Sequence, residues 1–226
     1  MNILALDTCT EMCSAAVIFN GNLYERSEIT QRGHSEKILA MLDAVMTDAQ
    51  CSLADIDVVA FGRGPGSFTG VRIGVGVAQG IAFAKQLPVV PVSTLAAVAQ
   101  VAIDTYSAKH IAVAMDARMG EVYTASFVAE NGLAKAVDDE RVCPPAMFMP
   151  VNEVQWFAAG TGWAEYDTIL QANFSSKIEA TQALLPTAAA IAKLGLDLVE
   201  QGGSIAAEKA VPVYLRDNVA KKKGEQ

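Results

Sequence analysis

The alternation of apolar and polar positions divides the chain into short strands and amphipathic helices. Residues 3–7 (ILALD) and 14–19 (SAAVIF) are apolar runs on either side of the turn-like TCTEMC, and Asn20-Gly21 then leads into NLYERSEI. This pattern predicts a three-strand meander. From His34 the spacing changes: Ile38, Leu39, Met41, Leu42, Val45, Met46 and Ala49 recur at three- and four-residue intervals, the signature of one helical face, with Ser35 or a neighbour as its cap. A strand at 56–61 (IDVVAF), a glycine-rich loop, a helix to about Lys85, a strand at 88–92 (PVVPV) and a helix capped by Ser93 or Thr94 follow. The order βββαβαβα, with short connections, requires right-handed crossovers and a partly parallel sheet.

A similar opening begins again at His110. AVAMD at 112–116, the turn ARMG, the strand EVYTASF and Asn131-Gly132 repeat the order of ILALD, its turn, SAAVIF and Asn20-Gly21, and Asp7 and Asp116 lie 109 positions apart. A repeat placed after a full lobe predicts duplication. The second half continues less regularly, with a strand at 154–159 ending in Gly160-Thr161-Gly162. Its clearest helix starts at Thr187 after Pro186, runs through AAAIAKLGLDLVEQ and stops at Gly202-Gly203. The expected organisation is an α/β chain of two lobes, residues 1–106 and a smaller 107–226.

At 226 residues and 52% apolar composition the chain has ample material for real cores. Its 17 Lys+Arg against 25 Asp+Glu leave a net charge of −8, so nothing electrostatic favours direct grip on tRNA or DNA. The one basic cluster, Lys221-Lys222-Lys223, reads as a solvated tail. The N-terminus carries Asp7 and Glu11 and no basic leader, and no stretch is long and apolar enough to span a bilayer, so a soluble cytosolic protein is expected. Cys9, Cys13, Cys51 and Cys143 form no CxxC pair and are read as reduced structural thiols.

The glycine loop, FGRGPGSFTGVRIG at 61–74, raises the main chemical question. Glycines between a strand and a helix suit anions, because bare amides and the helix dipole point at the ligand. A P-loop ends in Gly-Lys-Ser/Thr, whereas Val71 and Arg72 follow Gly70 here; the dinucleotide fingerprint fails as well, with Thr69 where its third glycine belongs. The helix that follows is more informative. Gly74, Gly76 and Gly80 inside it cost about 1 kcal/mol each relative to alanine, so packing must recover the difference. Gly70, Gly74, Ala78 and Ala82 form one small-residue stripe, and Gly76, Gly80 and Ala84 another. One stripe suits close packing on the chain's own sheet while the other admits a neighbouring helix; alternatively, both serve internal packing.

LALDTCTEMCSAAV, RGHSEKILAML, GRGPGSFTGVRIGVGVAQGIA, VSTLAAVA, MDARMGEVY and PVYLR, in this order, resemble the TsaB (YeaZ) family across nearly the whole chain. The resemblance implies two duplicated RNase H-like/actin-like lobes, each with a mixed sheet and flanking helices. It further implies a bacterial subunit of the machinery that forms N6-threonylcarbamoyladenosine at position 37 of tRNAs reading ANN codons. In that scheme a TsaC-type enzyme makes threonylcarbamoyl-adenylate, a TsaD-type subunit transfers the carbamoyl group with a TsaE-type ATPase, and TsaB is a required partner without activity of its own. TsaD-like sequences place a His-x-x-x-His metal motif where this chain has Thr94 and Val98, neither able to replace imidazole. With His34 and His110 in different lobes, neither a metal site nor a metallopeptidase is expected.

The same resemblance places phosphate-binding hairpins at the two aspartates. Asp7-Thr8-Cys9-Thr10 keeps the acid and hydroxyls but lacks the hairpin glycine, as does Asp116-Ala117-Arg118-Met119. Asp7, Thr8 and Thr10 remain candidates for weak nucleotide contact, and Asp116 for capping its own turn. No tightly bound cofactor is expected; ATP or ADP belongs, if anywhere, at an interface with the TsaD-type subunit. The expected partner surface comprises Leu39, Leu42, Met46, Ile73, Gly74, Val77, Gly80 and Ile81, which would also pair two copies of the chain when alone. His34 is either an exposed polar residue at a helix start or a partner contact or inherited catalytic residue. Arg118, Glu121 and Tyr123 are candidate contacts, or cross-strand pairs. The rival reading, an actin-like phosphotransferase acting alone, predicts ATP turnover without partners.

Overall fold

The computed structural model describes residues 1–175 and 177–216; Lys221-Lys222-Lys223 lie outside the described residues. Strands β1 (Ile3–Asp7), β2 (Met12–Phe19) and β3 (Asn22–Ile29) form the antiparallel meander, and β4 (Val58–Gly62) and β5 (Val89–Val92) join it in parallel, in the order β3-β2-β1-β4-β5. Helices α1 (His34–Asp48), α2 (Phe68–Lys85) and α3 (Thr94–Tyr106) follow β3, β4 and β5.

The second half repeats this plan. Strands β6 (His110–Asp116), β7 (Val122–Glu130) and β8 (Leu133–Ala136) form the meander, a short β9 (Arg141–Cys143) adds to β7, and β10 (Trp156–Ala159) and β11 (Ile178–Gln182) complete the order β8-β7-β6-β10-β11. Asn20-Gly21 and Asn131-Gly132 both have positive φ at two successive residues, which matches the twist of a two-residue hairpin. The second lobe is reduced at one place: β9 and irregular chain stand where α1 follows β3. Helices α4 (Thr161–Glu165) and α5 (Asp167–Phe174) follow β10, and α6 (Ala188–Glu200) follows β11.

Period-two alternation in the buried strands separates the cores. Leu4, Leu6, Val59 and Phe61 face α1 and α2, whereas Ile3, Ala5, Val58, Ala60, Val90 and Val92 face a central core shared with the second sheet. On that sheet Ile111, Val113 and Met115 point into the central core, and Ala112 and Ala114 toward Trp156, Trp163 and Phe174 under α4 and α5. The central layer is α3 and α6, and each covers the other half's sheet: α3 packs on β6, β7 and β8, and α6 on β1, β2, β4 and β5.

Polar contacts fix this exchange, two of them through the buried side chains of Ser14 and Gln100. The α6 amides of Ala188 and Ala189 donate to Ser14 Oγ (2.9 Å) and Glu25 Oε1 (3.0 Å) of the first sheet. Gln100 of α3, fully buried, donates to the Gly132 carbonyl (2.9 Å) and accepts from the Ala134 amide (2.9 Å) in the β7–β8 hairpin. These bonds satisfy polar groups that would otherwise be orphaned where the helices cross to the opposite lobe. After α6 the chain returns over the first lobe: Ile205 bridges to Val89 at the edge of β5, and Ala207 and Ala210 are buried against the α2 side.

Candidate functional site

The glycine loop lies directly on the first hairpin. A Cβ added at Gly62 would collide with the Asp7 carboxylate, at Gly66 with the Cys9 carbonyl, at Gly70 with the Thr8 carbonyl, and at Gly74 it would come within 2.8 Å of Thr8 Oγ1. Four glycines at four-residue spacing are therefore all spent on one close approach, backbone against residues 7–9. Thr8 Oγ1 donates to the Gly70 carbonyl (2.7 Å), Cys9 Sγ to the Gly62 carbonyl (3.3 Å), and the Ser67 amide to the Cys9 carbonyl (2.7 Å).

Sealing the hairpin has an electrostatic consequence. Asp7 is fully buried, one carboxylate oxygen accepts only a long bond from the Cys9 amide (3.4 Å), and Oδ1 has no partner. Desolvation pushes its carboxyl up to about 7, against the opposing bonds from Cys9. Burial, with the Asp7 charge behind it, pushes the Cys9 thiol well above its usual range, so this buried cysteine is not poised as a nucleophile.

Asp7, Thr8 and Thr10, the residues expected to contact a nucleotide, differ in how they are placed. Asp7 and Thr8 are covered by the glycine loop, and Thr10 Oγ1 caps its own turn by accepting from the Met12 amide (3.2 Å). The loop backbone thus lies against one side of this hairpin, at residues 7–9. Thr94 and Val98, at the metal motif's positions, are fully buried in α3, and among the described residues there is no group of three or more His, Cys, Asp or Glu side chains placed to hold an ion.

At the second hairpin Asp116 caps its turn, accepting from the Arg118 amide (2.8 Å), and pairs with the Arg118 guanidinium (2.8 Å) and Tyr166 hydroxyl (3.3 Å). Glu121 is ion-paired with Arg216 rather than with a cross-strand neighbour (2.5 Å). Tyr123 is half-buried against the central core. His34, at the start of α1, shares a hydrogen bond between Nε2 and the Thr10 carbonyl (2.8 Å), which ties the helix to the first hairpin.

Between α1 and α2 runs an exposed, largely apolar groove of about 610 Å³. Its lining includes Leu39, Ile73, Val77, Gly80 and Ile81 of the expected partner set, which the fold brings together. Leu42 and Met46 (2% and 9% exposed) and Gly74 do not belong to this surface: they point inward, Leu42 and Met46 into the core beneath α1 and Gly74 against Thr8. The face drawn from α1 spacing is too wide, since a stripe of seven apolar residues wraps past the part that meets solvent. Leu53, Ser35, Arg72, Gly76, Ala84 and Lys85 also line the groove. Leu53 sits on the single turn after α1, where no periodicity marks it. The two small-residue stripes divide cleanly: Gly70, Gly74, Ala78 and Ala82 are buried, whereas a Cβ at Gly76 or Gly80 meets nothing within 4 Å.

Two duplicated lobes of mixed sheet with flanking helices, hairpin aspartates at corresponding strand ends and a shared helical layer define an α/β protein of the actin-like type. A family model describing TsaD, tRNA N6-adenosine threonylcarbamoyltransferase, matches residues 26–224. The Escherichia coli (strain K12) tRNA threonylcarbamoyladenosine biosynthesis protein TsaB is 40% identical, over 99% of this chain and 98% of its own. The Haemophilus influenzae protein of the same name is 38% identical over 99% and 97%. YeaZ from Pseudomonas aeruginosa superposes with a TM-score of 0.89 at 40% identity, covering 95% of this chain and 99% of that one. The chain belongs to the TsaB (YeaZ) family.

Proposed function

We propose that this chain is a non-catalytic partner subunit in the formation of threonylcarbamoyladenosine at adenosine 37 of ANN-decoding tRNAs, docking a TsaD-type subunit through the α1–α2 groove. The observation that carries the reading is the open side of α2. Gly76 and Gly80 leave its backbone bare on one side, flanked by Ile73, Val77 and Ile81 and faced by Leu39, which is 54% exposed. A partner helix approaching over bare backbone gains close packing at a place where isolated α2 gains nothing from its glycines. The sealed first hairpin supports the absence of activity in the chain alone, and with it the reading that any ATP or ADP contact belongs to the interface with the TsaD-type subunit.

In this reading a TsaE-type ATPase joins the assembly, and tRNA is reached only through the complex, in keeping with a net charge of −8. Without a TsaD-type subunit the same groove pairs two copies of the chain. No helix among the described residues is long and apolar enough to cross a membrane; the cytoplasm is the compartment this proposal gives the assembly. The deciding experiment measures threonylcarbamoyladenosine formation on unmodified tRNA with TsaC-, TsaD- and TsaE-type proteins, with and without this chain. Product that requires the chain, while the chain alone neither turns over ATP nor modifies tRNA, supports the proposal. Unchanged product on omission refutes it.

A further inference from the structure

The carboxyl ends of β1, β4, β6 and β10 lead into the first hairpin, the glycine loop, the second hairpin and α4, and in α/β sheets ligands enter at such ends. In this protein the chain's own C-terminal segment crosses that position. The Val213 amide donates to the Arg63 carbonyl (2.8 Å), and the Val213 carbonyl stands 2.8 Å from where a Gly64 Cβ would be, so glycine is needed for the segment to lie so close. Tyr214 packs on Phe68 with ring centroids 5.9 Å apart, and the Arg72 guanidinium sits over both rings. Residues 213–214 are thereby fastened to the glycine loop of the first lobe.

Arg216 then reaches the second lobe. Its guanidinium pairs with Glu121 (2.5 Å), donates to the Arg118 carbonyl (3.3 Å) and touches Met119 Sδ (3.7 Å), with only 16% of the side chain exposed. The tip it contacts is strained: Arg118, Met119 and Gly120 have φ of 61°, 59° and 77°, and two of these three are side chains that disfavour the left-handed region. A second tie, Arg63 to Glu140 (3.2 Å), joins the same loop to the approach of β9.

We propose that Tyr214–Arg216 is a latch that closes the crevice between the lobes, holding the 118–121 hairpin against the glycine loop, with Arg63–Glu140 as its second tie. The shared central core is the pivot, and the latch sets how far the mouth above it opens. Arg216 props the strained hairpin only while the mouth is closed, so loss of its charge frees the hairpin and widens the mouth together. Anything that enters the crevice must first displace this segment. The latch shares Arg72 with the lining of the α1–α2 groove, but it does not rest on the proposed function.

The test uses the full chain with nitroxide labels at Thr69→Cys and Asp139→Cys in a Cys51→Ser background, diluted with unlabelled chain so that only intramolecular distances are read. The parent is expected to give one narrow distance. Arg216→Glu should broaden and lengthen it and speed amide exchange in residues 117–122 by roughly tenfold, the scale of one charged hydrogen bond. The charge swap Arg216→Glu with Glu121→Arg should restore both, while exchange in β10 stays unchanged as a control for folding. A narrow, unshifted distance in Arg216→Glu overturns the latch, and so does faster hairpin exchange at an unchanged distance, which would leave Arg216 a local prop. Failure of the charge swap to restore the distance also overturns it.

Discussion

Asp7 is expected to lower stability at neutral pH, because its carboxyl is buried with one oxygen unpaired. Its folded pKa of about 7 lies above the ordinary 3.8. The folded state thus holds a proton that the unfolded chain has released, and stability falls as pH rises from about 4 to about 7 and is flat above that. Asp7→Asn keeps an acceptor for the Cys9 amide and removes the charge. Urea melts should show the variant gaining on the parent between pH 4.5 and 8, by up to about 3 kcal/mol, since each tenfold difference in proton affinity between the folded and unfolded states is worth about 1.4 kcal/mol. Equal differences at both pH values would mean that the site admits water. The acid with its neighbouring hydroxyls, and separately the glycine loop, were visible in the sequence; that the loop's glycines cover the acid was not, since residues 7 and 62 meet only through the parallel pairing of β1 and β4.

At the scale of the element, α2 carries two kinds of glycine, and substitution should separate them with opposite signs. Gly70→Ala drives a methyl group into the Thr8 carbonyl and is expected to cost about 3 kcal/mol, read by denaturant unfolding. Gly76→Ala adds a methyl group to open space in a helix interior and should stabilise the isolated chain by about 1 kcal/mol. Gly80→Leu should leave the fold intact, because nothing lies within 4 Å, yet abolish capture of a TsaD-type subunit in a binding assay. Normal binding by this variant would place the partner elsewhere. The four-residue spacing of small residues revealed two stripes from the sequence, since helical periodicity alone sets which residues share a face. For α1 the same periodicity groups exposed Leu39 with buried Leu42 and Met46, because the boundary of a buried face depends on what packs against it.

Across the whole molecule, the exchange of α3 and α6 makes each half incomplete. Residues 1–106 expressed alone would leave Ile3, Ala5, Val58, Ala60, Val90 and Val92 without α6, and α3 without the sheet it covers. Burial of the larger of these side chains is worth about 2 kcal/mol each, comparable in sum to the whole stability of a domain of this size. The fragment is expected to show no cooperative thermal melt by circular dichroism, in contrast to the full chain. A cooperative melt would mean that the first sheet tolerates an uncovered inner face.

Local order along the chain was enough to dictate the elements of the first half and the repeated opening of the second, but not β9, α4, α5 or β11. Strand alternation, helical spacing, Asn-Gly turns and the recurrence of an aspartate at a strand end follow from backbone geometry and side-chain periodicity. The same local reading required α2 to meet something closely, since glycine in a helix interior has a cost that packing has to offset. What each of those residues meets was settled by three-dimensional packing. The parallel pairing of β4 beside β1 sets the glycine loop on Asp7 and turns a phosphate-like motif into a seal, and the crossing of α3 and α6 joins the two halves into one core. The return of the C-terminal segment brings Arg216 to Glu121, 95 residues away in the chain. Contacts of that range leave no period in the sequence, because they depend on how finished elements stack rather than on how any one of them forms.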